Sequence, residues 1–325
     1  MTIHGALDEL LDVMVIPGYS SIGPALRKHW WPGDPRPFTG HPDIVVTGGG
    51  SGLGEAAALG LARLGARVHL VGRKAARLQA AADRMVTAVP DAQVITHEAD
   101  ISDLDSVASL AAELERSVPS LHALIHCAGL IPPERTLSAQ GHELTFATHV
   151  LGPFALTVRL RTLLRADGDG RVIWVSSGGM YSSPLVSDLE FASGDYKGVR
   201  AYARTKRMQV SIAAMLGAAF DRDGDPVVHS MHPGWADTPG VTDSIPGFAK
   251  LVRPILRTAE QGADTIVWLS AAGEPATTTG QFFSDRRVRP TYYLRWKHDR
   301  PAVRRRLWLA CEDALVASGF GEPII

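Results

Sequence analysis

The sequence predicts an α/β fold of the doubly wound kind, a parallel sheet of about seven strands with helices on both faces. Three observations predict it. Short aliphatic runs alternate with helix-length segments from Ile44 to Met231, the order that builds βαβ units. A glycine-rich turn, Thr47-Gly48-Gly49-Gly50-Ser51-Gly52-Leu53-Gly54, joins the first run, Ile44-Val45-Val46, to a helix-prone segment from Glu55 to Leu64. No internal repeat or low-complexity stretch interrupts the pattern.

Composition narrows the function classes. The chain has 325 residues, and a hydrophobic fraction of 45% is ample for a sizeable core. A net charge of −1 argues against nucleic acid as a general partner. Cys127 and Cys311 are too few and too far apart for a disulfide framework or a thiolate zinc site. His122 and His126 share a strand face but lack a third ligand, so no metal is expected. There is no apolar run of spanning length and no basic leader, which makes a soluble, cytoplasmic protein the expectation.

Residues 1–42 precede the first strand. Leu7, Leu10, Leu11 and Met14 recur at helical spacing and predict an amphipathic helix up to Val15, stopped by Pro17-Gly18. Trp30-Trp31 and a proline–glycine connector follow. This extension reads either as a helix packed on the body or as an interfacial membrane contact.

The glycine turn then brings backbone N–H groups to a helix N-terminus, where the dipole favours a pyrophosphate. Thr47, Gly48, Gly50, Ser51, Gly52, Leu53 and Gly54 are the expected contacts. Arg67–Val71 predicts the second strand, and Arg73 stands just past its end. An acid at that place would hold a ribose 2′-OH, whereas an arginine suits a 2′-phosphate. No Asp or Glu occurs between Arg67 and Gln79, so Arg73 marks NADP over NAD, with Lys74 as support.

Residues 75–89 predict a helix and Gln93–His97 the third strand, ending at Asp100-Ile101. Ser102 is the expected cap of a helix over 103–116. Leu121–His126 is the fourth strand, followed by Cys127-Ala128-Gly129. Gly141 to Arg165 predicts one long helix carrying Phe146-Ala147-Thr148-His149-Val150-Leu151-Gly152. Arg171–Val175 is the fifth strand and delivers Ser176-Ser177-Gly178-Gly179. Tyr202 and Lys206 stand four apart on a helix, side chains neighbouring, so that an ammonium lies beside a phenol and draws its pKa down. Such a tyrosine can give or take a substrate proton.

Pro226–Met231 is the sixth strand, leading into His232-Pro233-Gly234-Trp235-Ala236-Asp237-Thr238. His232 and Asp237 invite a hydrolytic triad, but no GxSxG elbow is present. Residues 239–254 would cover a substrate, Ala259–Ala271 is a helix, and Gly280–Phe283 a short last strand. Residues 286–325 carry nine Lys/Arg against four acids. They form a roughly amphipathic helix around Trp308, which reads as docked with a solvated basic face or as drawn to anionic lipid.

Together, the TGxxxGxG spacing (Thr47, Gly48, Gly52, Gly54), the serine pair and the YxxxK pair resemble the short-chain dehydrogenase/reductases. The resemblance covers about residues 43–285. It implies a single Rossmann domain over 43–285, flanked by an N-terminal extension (1–42) and a basic C-terminal one (286–325). It implies Asp100 and Ile101 against the adenine, Ala128 and Gly129 lining the adenosine side, and Pro233, Gly234, Trp235 and Thr238 at the nicotinamide end. Ser177, the second serine, would polarise the substrate oxygen, Tyr202 act as acid/base, and Lys206 hold the nicotinamide ribose. His149 stands where the family has a catalytic asparagine that widens its helix and holds a relay water, and His126-Cys127 replace two further asparagines.

The expected function is therefore reversible, NADP-dependent hydride transfer to a carbonyl or from a secondary alcohol. Apolar and aromatic loop residues suggest a lipophilic substrate such as a steroid, retinoid or lipid aldehyde. The alternative is a cofactor-binding, redox-responsive scaffold without turnover. A homodimer through the helices bearing FATHVLG and YARTK is implied unless the extensions cover that surface.

Overall fold

The computed structural model describes residues 7–9, 11, 12, 14–237, 253–294 and 298–320. Its centre is an eight-stranded sheet in the order β3-β2-β1-β4-β5-β6-β7-β8. The strands are β1 (Asp43–Thr47), β2 (Arg67–Gly72), β3 (Gln93–Glu98), β4 (Ala123–His126), β5 (Arg171–Val175), β6 (Val227–Met231), β7 (Phe282–Ser284) and β8 (Arg287–Val288). The first seven run parallel, and β8 pairs with β7 antiparallel.

β1, β4 and β5 are buried along their whole length, as expected of strands covered on both faces. One apolar layer contains Leu104, Val107, Phe154, Trp174 and Ile212, and the other Leu61, Leu70, Ile125, Ile266 and Trp268. The chain winds outward from β1 in one direction, then restarts at β4 in the other. The carboxyl ends of β1 and β4 therefore part to leave a crevice, the place where such sheets bind ligands.

Four local expectations are corrected. The sheet gains β8 because Asp285 and Arg286 form a tight turn with φ of 51° and 56°, so the fold continues beyond residue 285. Residues 141–165 are not one helix. Glu143 caps Leu144–Phe146 by accepting the N–H groups of Thr145 and Phe146. The ladder then opens into a π-turn, Ala147–Leu151, and resumes over Gly152–Arg159 and Arg161–Asp167. Asp103, not Ser102, caps the Leu104–Ser117 helix, because the Ser102 hydroxyl is already bonded to Asp100 at 2.7 Å. Pro17-Gly18 does not stop a helix but lies inside a short one, Val15–Tyr19, whose first turn tolerates proline.

Both extensions pack on the body. The Pro301–Ala317 helix buries Leu307, Trp308, Cys311, Ala314 and Leu315, with Trp308 edge-on to Phe154 at 5.4 Å, while Leu309 faces solvent. Three arginines of the basic stretch are already paired: Arg286 with Asp264 and Asp34, and Arg287 and Arg289 with Asp8. In the N-terminal segment, Arg27 bonds Asp8 at 2.9 Å and Asp285 at 2.5 Å, and Arg257 bonds Asp285 at 2.6 Å. This buried cluster clamps the extension to the β7–β8 turn. Among the described residues no helix is long and apolar enough to cross a membrane.

Candidate active site

A cavity of about 920 Å³ opens along the carboxyl ends of the parallel strands. Its floor at one end is the glycine turn. Gly52 has φ of 57° where it opens the Gly52–Arg63 helix, a conformation that disfavours a side chain. At Gly48 a Cβ would sit 2.9 Å from the backbone of Ala128, so only glycine lets the loop after β4 close against the turn. Gly48, Gly50, Ser51, Gly52, Leu53 and Gly54 all line the cavity. Thr47, expected in contact with the cofactor, does not. It is fully buried, and its hydroxyl donates to Ile125 O and accepts from the N–H groups of Cys127 and Ala128, bracing one loop against the other.

Arg73 and Lys74 line the same end, joined by Arg77 one helical turn on. Arg73 Nη1 is 3.8 Å from Asp100 Oδ2, and its side chain is more than half exposed. Asp100 Oδ1 accepts from the Ser102 N–H and hydroxyl, which fixes the carboxylate. Asp100 is the one acid among the described lining residues, and Ile101, Ala128 and Gly129 line the wall beside it. Pro233, Gly234 and Trp235 line the far end, while Thr238 lies outside the described residues.

Between these ends the polar side chains converge. Ser177 Oγ accepts from Gly179 N–H at 3.2 Å and is hydrogen-bonded to the Tyr202 hydroxyl. Ser176 is turned away, donating to the backbone carbonyl of Lys206 at 2.8 Å and tying β5 to the Gly198–Ala219 helix. Burial pushes the Tyr202 phenol above its ordinary pKa, and the bond to Ser177 pulls it partly back. Lys206 Nζ lies 5.3 Å from the Tyr202 ring centre and donates to Val175 O at 2.8 Å and Gln209 Oε1 at 3.0 Å. Its pKa falls to about 8 through burial, against a small opposing pull from Cys127. Burial also raises the Cys127 thiol to about 11, which leaves it protonated.

His149 is fully buried in the π-turn. Leu130 N–H donates to its Nε2 at 3.1 Å, so that nitrogen carries no proton. Nδ1 then holds the hydrogen and donates to Thr205 Oγ1 at 2.8 Å. Burial and the nearby Lys206 charge keep this imidazole neutral, far below its ordinary pKa. His126 is bonded to Thr157 and packed at a tilt against Trp174, and His122 is bonded to Asp167 and Ser270 O; both are tied into structure. No group of three metal-ligating side chains occurs among the described residues.

Two neighbours of the site lie outside the sequence expectations. Gln209 stands three residues after Lys206, and helical spacing alone puts it on the same face. Tyr19, from the N-terminal extension, lies 4.5 Å from the His232 ring, and its carbonyl accepts the Trp235 N–H at 2.7 Å. A Cβ on Gly178 would come within 2.5 Å of the Tyr19 ring. No local pattern announces a contact across more than 150 residues.

The rest of the lining is mixed in character, with apolar Leu130, Ile131, Val186 and Val199 alongside polar Ser182, Ser183, Lys197, Arg200 and Arg204. Lys197 is paired with Asp195, and Arg204 lies over the Phe191 ring at 3.9 Å, near Asp188.

Comparison with known proteins follows the same lines. Residues 43–188 match the family model for short chain dehydrogenases. The chain is 38% identical over 253 residues to dehydrogenase/reductase SDR family member 12 of Homo sapiens, covering 77% of this chain and 78% of that one. It is 29% identical over 280 residues to retinol dehydrogenase 14 of Mus musculus, covering 81% and 83%. Among solved structures, an uncharacterized protein from Mycobacterium paratuberculosis superposes with a TM-score of 0.68 at 26% identity, covering 86% of this chain and 95% of that one.

Proposed function

The chain belongs to the short-chain dehydrogenase/reductase family, and from that premise we propose that it is an NADP-dependent reductase of lipophilic carbonyl compounds. The observation that carries the reading is the convergence of Ser177, Tyr202 and Lys206 on one cavity that runs continuously to the glycine turn. A scaffold without turnover would have no need of that convergence.

The cavity fits a dinucleotide. Gly48, Gly50, Gly52 and Gly54 present backbone without side chains to the cavity, which suits close approach of a pyrophosphate. Arg73, Lys74 and Arg77 surround the adenosine end, which suits a 2′-phosphate. When bound, the nicotinamide supplies the hydride.

The protein supplies the proton and the placement. Ser177 donates its hydroxyl to the carbonyl oxygen. Tyr202, kept protonated by burial, gives its proton to that oxygen as the hydride reaches the carbon. The phenolate left behind is stabilised by the Lys206 ammonium. A phenol held above its ordinary pKa is in the acid form that reduction needs, and its phenolate is the base that the reverse oxidation needs. The apolar lining by Leu130, Ile131, Val186 and Val199 suits a bulky hydrocarbon body, and retinol dehydrogenase among the relatives points the same way.

The test is a screen of ketones and aldehydes against NADPH, monitored at the nicotinamide absorbance, followed by Tyr202→Phe. A substrate whose kcat falls by about 10²–10⁴ in the variant supports the assignment. Undiminished turnover by Tyr202→Phe would remove the acid/base role.

A further inference from the structure

We infer that Gln209 is a positioning residue of the active site, a side-chain bridge that holds the Lys206 ammonium to the backbone carbonyl of His149. This rests on the reading of Lys206 as part of the reductase site. Gln209 is fully buried. Its Oε1 accepts from Lys206 Nζ at 3.0 Å, and its Nε2 donates to His149 O at 2.9 Å. The orientation of the amide is unambiguous, because an ammonium can only donate and a carbonyl can only accept.

Three consequences follow from this geometry. The π-turn at Ala147–Leu151 frees its carbonyls from the ordinary helical ladder, and Gln209 satisfies the one at His149. Of the three N–H donors on Lys206, Val175 O and Gln209 Oε1 occupy two, which leaves one for a ribose hydroxyl. Finally, the amide fills the space between lysine and carbonyl with a group that neither gains nor loses a proton at working pH. The ammonium is thus held in place beside Tyr202.

The electrostatics give the bridge a function beyond packing. Lys206 is fully buried and has no carboxylate partner among the described residues. The ionisable groups that face it are Tyr202 on its own helix, Cys127 after β4 and neutral His149 in the π-turn. Two neutral oxygens therefore offset the cost of burying its charge. Loss of one hydrogen bond to a charged group moves a pKa by about one unit or more.

The experiment is a pH titration of the Lys206 side chain by NMR, with 13C-lysine in the full chain without nucleotide, in wild type, Gln209→Leu and Gln209→Glu. The leucine variant is expected to titrate about one unit or more below the wild type, and the glutamate variant above it. The alkaline limb of kcat, which reports loss of the ammonium, should move in the same two directions. If the leucine variant does not fold, the upward shift in the glutamate variant reads the same bridge. Equal midpoints in all folded variants overturn the inference. Shifted midpoints in a protein that turns over no carbonyl compound would uphold the bridge and refute the reductase reading instead.

Discussion

The Leu130 N–H donates to Nε2 of His149 across 3.1 Å, and this single bond decides what the histidine can do. With its lone pair engaged and Nδ1–H bonded to Thr205, the ring has no free site for proton transfer. His149 is held neutral to well below its ordinary pKa, and His126 and His232 are likewise lowered by burial, both to about 3. In the unfolded chain each would protonate near 6.5. The unfolded state then binds more protons, so stability should fall as pH drops below about 6.5, by up to about 1.4 kcal/mol per unit for each ring. Urea unfolding at pH 7.5, 6 and 5 measures the slope. His149→Asn should reduce it by close to one proton, and an unchanged slope would mean the ring is not held neutral.

Arg73→Ala tests the cofactor preference. Its guanidinium is half exposed and Arg77 and Lys74 line the same end, so the loss is partial. Calorimetry is expected to show NADPH affinity falling by about tenfold, with NADH affinity unchanged within about twofold. Equal losses for both nucleotides would place Arg73 away from the 2′ position.

How much of this was legible in the sequence depends on how local each signal is. β1 to β6 and the glycine turn stand out because buried parallel strands are continuous aliphatic runs, and because TGxxxGxG falls between a strand and a helix. Tyr202 and Lys206 are legible for the same reason, being one helical turn apart. β8 is not legible, because its turn uses Asp285-Arg286 at positive φ where a hairpin signal would be Asn-Gly. Both of those side chains are instead held by ion pairs from distant segments, Asp285 by Arg27 and Arg257 and Arg286 by Asp264 and Asp34. The later start of the helix after Gly141 escapes for a similar reason, since a bridge between Leu137 and Glu143 occupies the intervening residues.

The C-terminal helix gives a stability prediction and an assembly prediction. Leu307 is fully buried in the apolar layer that holds Phe154, so Leu307→Ala should cost about 2–5 kcal/mol in denaturant unfolding. A cost under about 1 kcal/mol would mean that the helix is only loosely docked. The same helix packs against Gly152–Arg159 and Gly198–Ala219, the surface that family resemblance would give to a dimer. The intact chain is therefore expected to sediment as a monomer of 34.8 kDa. A stable dimer would require a different interface.

Asp285 links the N-terminal extension to the far wall of the cavity. It is buried between Arg27 and Arg257, and Arg257 also donates to the carbonyls of Gly18, Tyr19 and Pro233. Burial alone would raise the carboxyl pKa, but the two guanidiniums outweigh it and hold it at about 2. A depressed carboxylate contributes stability that is present above its unfolded pKa of 3.8 and is lost as pH falls through about 2. Asp285→Asn is expected to cost about 3–5 kcal/mol at pH 7, because it leaves the buried Arg257 guanidinium without its carboxylate and Arg27 with Asp8 alone. The gap between variant and wild type should narrow as the pH is lowered from 4 towards 2. Since Arg257 anchors the Pro233 carbonyl, the variant should also bind NADPH more weakly at pH 7, even where it remains folded. A variant with lowered stability but unchanged nucleotide affinity would show that the clamp holds the extension without shaping the nicotinamide end.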